Sequence, residues 1–171
     1  MNDIPAVITG FNVYRAGNKL VGVSGEVTLP DLEYATATLS GAGIGGEIDV
    51  PVKGQFPAMA MEIPFAVLYD DSFNIMQLNG EQLTLRGNIE EFDQATGAMI
   101  DKAVRIVVGG VPKGIKLGKL GQGTTMDGSN AIEVTYLKIE LNGRDKLEVD
   151  KLNYVFRVNG SDMLATARNN M

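Results

Sequence analysis

Apolar and polar positions alternate with period two in several stretches of the chain, the signature of strands with one buried face. From Ala58 to Phe65, Met59, Met61, Ile63 and Phe65 fall on one side and Ala58, Ala60 and Glu62 on the other. Glu26–Leu39 reads as a second extended stretch, broken by Pro30. In it Leu32, Tyr34, Thr36 and Thr38 oppose Asp31, Glu33, Ala35 and Ala37. A face of small and acidic residues is an odd face for a core. Between the two lies Ser40-Gly41-Ala42-Gly43-Ile44-Gly45-Gly46, followed by Pro51, Gly54 and Pro57, which predicts a long flexible loop.

Downstream, Gln82–Phe92 alternates again, with Leu83, Leu85 and Ile89 against Thr84, Arg86, Asn88 and Glu90. Asp93–Gly97 predicts a turn, Met99–Val111 a strand, and the Gly- and Lys-rich residues 112–130 a long loop. Ala131–Leu141 is a strand whose apolar set changes face between Tyr136 and Leu137, which predicts a bulge. Asn142-Gly143 is a strong hairpin turn. Lys146–Val149 and Tyr154–Val158 are the next strands, the second ended by Asn159-Gly160. Asp70-Asp71-Ser72 offers N-caps and Asn79-Gly80 a C-cap for a short helix with Phe73 and Met76 on one face. Ser161 caps a second helix, Asp162–Arg168. The chain opens with an arm, about residues 1–10, and a strand that turns at Ala16-Gly17-Asn18. The whole, 1–171, reads as one domain, because this length supports a single core.

Composition narrows the chemistry. There is no Cys and no His. Disulfides, thiolate nucleophiles, His-based triads, His-ligated metals and imidazole switches are therefore excluded. No catalytic residue, cofactor or metal is expected. The net charge is −6, which argues against tight nucleic-acid binding, since phosphate neutralisation dominates that affinity. The N-terminus lacks the basic start and apolar run of a secretory signal, and no apolar stretch is long enough for a bilayer, so no direct membrane anchor is expected. Charge is segregated. Residues 62–93 hold seven acids and one base, whereas residues 101–119 hold Lys102, Arg105, Lys113, Lys116 and Lys119 against Asp101. Two solvated patches are the simple reading; complementary faces of a self-assembling subunit are the sharper one.

Gly41-Ala42-Gly43-Ile44-Gly45-Gly46 matches a dinucleotide-binding spacing, but Glu47-Ile48-Asp49-Val50-Pro51 cannot supply the helix such a site needs. Asp127-Gly128-Ser129-Asn130 lacks the spaced acids of a calcium loop. Glu90 and Glu91, adjacent in a strand, point to opposite faces and cannot converge on one substrate.

The C-terminal third carries a resemblance. Val134-Thr135-Tyr136-Leu137-Lys138-Ile139-Glu140-Leu141-Asn142-Gly143-Arg144-Asp145, then Leu147-Glu148-Val149-Asp150 and Val158-Asn159-Gly160-Ser161-Asp162-Met163-Leu164, resembles the end of the major tail tube proteins of contractile phages and R-type tailocins. Val27-Thr28-Leu29-Pro30-Asp31-Leu32 and Gly41-Ala42-Gly43 are similar to that family's first long strand and loop. The middle, roughly 66–130, matches more loosely.

The resemblance implies a mainly β, antiparallel sandwich or barrel-like subunit with one or two short helices. It also implies a long hairpin contributing to an inter-subunit lumen barrel. Hexameric rings would stack head-to-tail into the inner tube of a contractile tail or tailocin, a conduit for DNA ejection or membrane puncture. Asp31, Glu33, Ala35, Ala37, Ala58, Ala60 and Glu62 would then face a water-filled bore, where small and acidic side chains let DNA slide without sticking. Gly41, Gly43, Ile44 and Gly46 in the loop, with Met163, Leu164 and Arg168 at the end, are the expected subunit contacts, together with the N-terminal arm. Partners would be other copies, a sheath protein, a tape-measure protein and baseplate hub proteins, with DNA only a transient passenger. The place would be the virion tail or tailocin particle, assembled in the host bacterial cytoplasm. The alternatives are a non-contractile tail tube, a secretion-system-like ring protein, and, in a different class, a monomeric β-sandwich binding module.

Overall fold

A computed structural model of the chain describes residues 3–23, 25–77, 80 and 82–171. Its elements are β1 (Asp3–Arg15), β2 (Asn18–Lys19), β3 (Thr36–Leu39), β4 (Ile48–Pro51), β5 (Ala60–Phe65), α1 (Asp70–Met76), β6 (Gln82–Asp93), β7 (Met99–Lys116), β8 (Gly128–Leu141), β9 (Arg144–Asp150), β10 (Val155–Val158), β11 (Ser161–Asp162) and α2 (Ala165–Asn170). All strand pairs are antiparallel. The main sheet runs β11-β10-β9-β8-β7-β6-β1-β2, with β5 also on β8, while β3 and β4 form a separate two-stranded sheet. The mainly β, antiparallel class with two short helices is the one the resemblance implies.

One extra residue organises this sheet. β7 follows β8 along its length, but the register slips from Gly109↔Tyr136 to Gly110↔Val134, leaving Thr135 unpaired. Burial changes parity there: Asn130, Ile132 and Val134 face the core before the bulge, and Leu137 after it. On the other edge of β8, β5 pairs residues up to Glu133 and β9 pairs residues from Tyr136 onward. The sheet therefore forks at Thr135, whose carbonyl accepts the Lys151 N–H (3.0 Å) while Val134 N–H bonds the Met59 carbonyl (2.7 Å). Between the two limbs lies the core, with Met59, Met61 and Ile63 against Val13, Leu83, Leu85, Val108, Leu137, Val149 and Phe156. Each such side chain contributes roughly 1.5–3 kcal/mol by burial.

Several expectations are revised. The N-terminal arm is strand from Asp3, paired with β6. Within Glu26–Leu39 only Thr36–Leu39 is strand; Thr28 instead bridges to Glu62, and Pro30 separates the two. Strand β3 pairs with β4, inside the segment expected to be a loop, and not with the 58–65 stretch. Strand β7 runs on through Pro112 and Gly114 to Lys116 with a second register shift, and β8 starts at Gly128, so the long loop shrinks to residues 117–127. Helix α1 buries Ser72 and Ile75, not Phe73 and Met76, and ends on Gln77; the Asn79 expected at its end lies outside the described residues. The second helix begins only at Ala165, because Ser161 and Asp162 continue a hairpin across Asn159 and Gly160, which both have positive φ (51° and 81°).

The C-terminus is clipped to the body. Arg168 pairs with the Asp162 carboxylate and donates to the Tyr154 carbonyl (3.1 Å), and Leu164 N–H bonds Asp162 Oδ1 (3.1 Å). Leu164 is buried in the core. A Cβ on Gly54 would lie 2.6 Å from its Cδ1, so Gly54 is required for that close approach. The hydrogen bond from Arg168 holds the Asp162 carboxyl below the usual carboxylate range, aided by the Leu164 N–H. A depressed acid contributes above its ordinary pKa and loses that contribution as pH falls through the lowered value.

Two predictions follow from these contacts. A Cβ on Gly110 would sit 2.1 Å from the Glu133 carbonyl oxygen, whereas nothing lies within 4 Å of one on Gly114. Gly110→Ala should cost roughly 1–3 kcal/mol by overpacking and Gly114→Ala no more than about 0.5 kcal/mol, read from urea midpoints. The amide NMR shifts of Leu164 and Arg168 should hold steady down through the ordinary carboxylate range and move only below it. In Asp162→Asn that acid transition should be missing.

Candidate assembly surfaces

The first surface is a strand edge. β6 covers one side of β1 from Asp3 to Arg15, whereas β2 covers the other side only at Tyr14 and Arg15, and Leu20 N–H then bonds the Val13 carbonyl. Residues 3–12 have no strand partner on their outer side among the described residues. Strand β8 ends opposite Val104, so beyond that point β1, β6 and β7 run on as a three-stranded tongue. Its face continuous with the core carries Phe11 and Val104, then Ile8, Ile89 and Lys102, then Pro5, Glu91 and Ile100. Lys102 pairs with Glu91 and Asp3 across that face. Val7 and Ile8 are 57% and 64% exposed, beyond what an isolated edge strand normally tolerates. Pro5 and two register shifts limit which backbone groups stay free to pair. Those shifts also break the period-two pattern, which is why the strand reads as an arm in the sequence.

The second surface is the β3–β4 hairpin. Register places Ala37 beside Val50 and Leu39 beside Ile48 on one face, and Thr36 beside Pro51 and Thr38 beside Asp49 on the other. The polar face is tied by a bond from Thr38 Oγ1 to Asp49 Oδ1 (2.8 Å). All eight strand residues are exposed. The root is fixed: Ala35 N–H bonds the Gln55 carbonyl, Val52 N–H bonds the Ala35 carbonyl, and Tyr34 stacks on Phe56 (5.5 Å) and meets Phe156 edge-on (5.9 Å). The sequence carried one signal for this element, the Ile48-Asp49-Val50 alternation inside the Gly/Pro segment.

The expected bore and contact residues are dispersed over these features. Ala58 is exposed just before β5, which turns Ala60 and Glu62 away from the core, and Glu62 meets Lys116 (3.3 Å). Asp31 and Glu33 are exposed in a segment without strand pairing, where Leu32 and Tyr34 are exposed too, so no two-faced strand exists there. Ala35 sits half-buried at the hairpin root, and Ala37 lies on the hairpin's apolar face. Gly41, Gly43, Ile44 and Gly46 form the exposed hairpin tip. Met163 is exposed, but Leu164 is turned into its own core and Arg168 is engaged by Asp162.

The solvent face of the main sheet carries ion pairs across strands, Arg105–Glu140 (3.4 Å), Lys138–Asp145 (3.4 Å) and Arg157–Glu148 (3.3 Å), and one along β8, Lys138–Glu140 (3.1 Å). Part of the segregated charge is thus neutralised within the chain. Partly exposed pairs of this kind fix strand register more than they stabilise. An open groove of about 570 Å³ lies between the tongue's root and residues 26–29, lined by Phe11, Val27, Leu29, Val104 and Ile106, with Glu26 and Arg86 beside them. No cluster of acids among the described residues could hold a metal ion. The geometry offers backbone edges and apolar faces, which is the equipment for association.

Known proteins are similar to this chain. The model of the family described as phage tail tube protein FII matches residues 5–171. The tail tube protein of Escherichia phage P2 is 27% identical over 173 aligned residues, covering 98% of each chain. The major tail tube protein of Serratia phage KSP20 is 24% identical, covering 94% of this chain and 91% of that one. Among solved structures, the sheath/tube terminator of the extracellular contractile injection system PVC, in its extended state, superposes with a TM-score of 0.54 at 16% identity. It covers 80% of this chain and 96% of that one. A chain of the PVC sheath-tube complex gives 0.50 over 76% and 87%. Those two likenesses concern the fold. The family match spans nearly the whole chain, edge strand, hairpin and clipped C-terminus included: this protein belongs to the phage tail tube protein FII family.

Proposed function

We propose that the chain polymerises as hexameric rings stacked head-to-tail into the inner tube of a contractile phage tail or tailocin. The tube is the conduit for DNA ejection or membrane puncture. The observation that carries this reading is the uncovered outer edge of β1, with exposed apolar side chains and free backbone groups. A neighbouring copy that adds its own strand to that edge completes the hydrogen bonding, and closing the circle removes edges altogether. The relatives are tail tube proteins, and the fold is shared with a sheath-tube assembly, which supports a sheath protein as the outer partner. A tape-measure protein, baseplate hub proteins and passing DNA are the further partners of such a tube, assembled in the host cytoplasm.

For the bore we retain Asp31, Glu33, Ala58, Ala60 and Glu62, all turned to solvent and either small or acidic. Ala37 is reassigned to subunit contact, because its neighbours Leu39, Ile48 and Val50 make an apolar face. Ala35, at the hairpin root, serves neither role directly.

Edge lysines block strand addition. Val7→Lys/Ile8→Lys should therefore leave a folded monomer by circular dichroism that no longer forms rings or tubes in negative-stain images. Tubes of ordinary appearance from that variant would refute the edge reading. Particles carrying Glu33→Lys/Glu62→Lys should assemble but release DNA more slowly. Unchanged ejection kinetics would remove those residues from the bore.

A further inference from the structure

We infer that the strand a neighbouring copy adds to the outer edge of β1 is its own β7, paired through residues 99–102 and running parallel to β1. This rests on the polymeric reading above and names the other half of its lateral contact.

The tongue has two open edges. β8 covers β7 only from Val104 onward, and Asn142 N–H bonds the Ala103 carbonyl (2.7 Å) just past that point. Residues 99–102 then have no strand partner on their outer side among the described residues. β6 lies between this edge and that of β1, and the rows run straight across. Ile4, Phe92 and Met99 align, then Pro5, Glu91 and Ile100, then Val7, Glu90 and Asp101. The two edges are therefore level with each other.

Direction follows from the pairing. β1 and β7 are each antiparallel to β6, so they run the same way. Two tongues set side by side without inversion bring β1 of one against β7 of the next as a parallel pair, with evenly spaced, slanted bonds. Pairing β1 with β1 needs a two-fold axis instead. That contact is self-complementary, uses up the β1 edge in a dimer and leaves both β7 edges open. A β1–β7 junction is heterologous. It leaves one free edge of each kind at the ends of any row, so it repeats until a ring closes.

The side chains agree with such a junction. On the face that carries Ile4 and Val7, 50% and 57% exposed, β7 presents Met99, 54% exposed. On the opposite face, exposed Ile100 stands level with Pro5. Apolar side chains at the same height on both edges take each other out of water. The acids on these edges already have partners within the chain: Asp3 meets Lys102 (3.5 Å), and Asp101 accepts from Asn88 Nδ2 (2.7 Å). The junction therefore sets no unpartnered charge between the strands.

The chain has no Cys, so engineered pairs report the junction directly. Ile4→Cys/Met99→Cys in one full-length chain, mildly oxidised after assembly, should give a ladder of disulfide-linked species from dimer to hexamer on a non-reducing gel. Neither single substitution should give that ladder. Within one chain β6 holds the two positions about 10 Å apart, too far for a disulfide, which needs Cα atoms within about 7 Å. Val7→Cys/Met99→Cys and Ile4→Cys/Asp101→Cys cover a stagger of one same-face step in either direction. As a second measurement, Met99→Lys/Ile100→Lys should lose rings and tubes in negative-stain images while its circular dichroism stays that of wild type, since edge lysines block strand addition. Three pairs without a ladder in samples that show tubes, or ordinary tubes from the lysine variant, overturn the β7 assignment and leave the polymeric reading standing. Dimers from Ile4→Cys or Val7→Cys alone, in place of a ladder, overturn it in favour of a β1–β1 contact. Wild type that stays monomeric at every concentration in sedimentation velocity removes both.

Discussion

Unsatisfied backbone hydrogen bonding at the margins of one bulged sheet governs this molecule. Inserting Thr135 rotates half of β8, so a single strand can serve two limbs that close over a shared core. The cost of the fork is at the periphery. β7 and β6 run beyond the point where β8 stops, and there β1 follows them with no strand on its far side among the described residues. Buried peptide groups need partners and exposed ones accept water or another chain. The subunit leaves a row of such groups in reach of a neighbour, next to apolar side chains that disfavour water as the alternative.

Much of this was legible before any coordinates. Asn142-Gly143 and the face change in β8 were read from residue type and parity, and both depend on local chemistry that tertiary context cannot easily override. The β5 alternation was legible because one face meets the core and the other does not. What escaped was of two kinds. Where register shifts occur, as near Pro5 in β1 and Pro112 in β7, the period breaks and the strand resembles a loop. Where both faces are exposed in the single chain, as in β3 and β4, the alternation is short, and Ile48-Asp49-Val50 is masked by the surrounding Gly and Pro. The contact residues were harder still. Glycines at the hairpin tip stood out by composition, whereas the aliphatic face behind them is defined by pairing register, a long-range property. Leu164 looked like a surface contact because it sits near the chain's end; a hairpin and a required Gly54 bring it into the core.

The electrostatics divide similarly. Acids and bases that look like separate patches along the sequence meet between strands, Lys102 with Glu91 and Lys116 with Glu62. The β3–β4 hairpin keeps Glu47 and Asp49 with no basic residue of its own, and Lys113 and Lys119 make no ion pair among the described residues.

The aromatic seat of the hairpin has a kinetic consequence. Tyr34, Phe56 and Phe156 hold the root of the hairpin, whose eight strand residues are exposed, so the arm's base is fixed within the single chain. In the tube proposed above, a copy arriving at an existing end would engage edge and arm together, and linked contacts multiply in strength. Growth on a seed would then outrun spontaneous initiation. A stock of protein could remain dispersed through a lag until a template supplies the first layer.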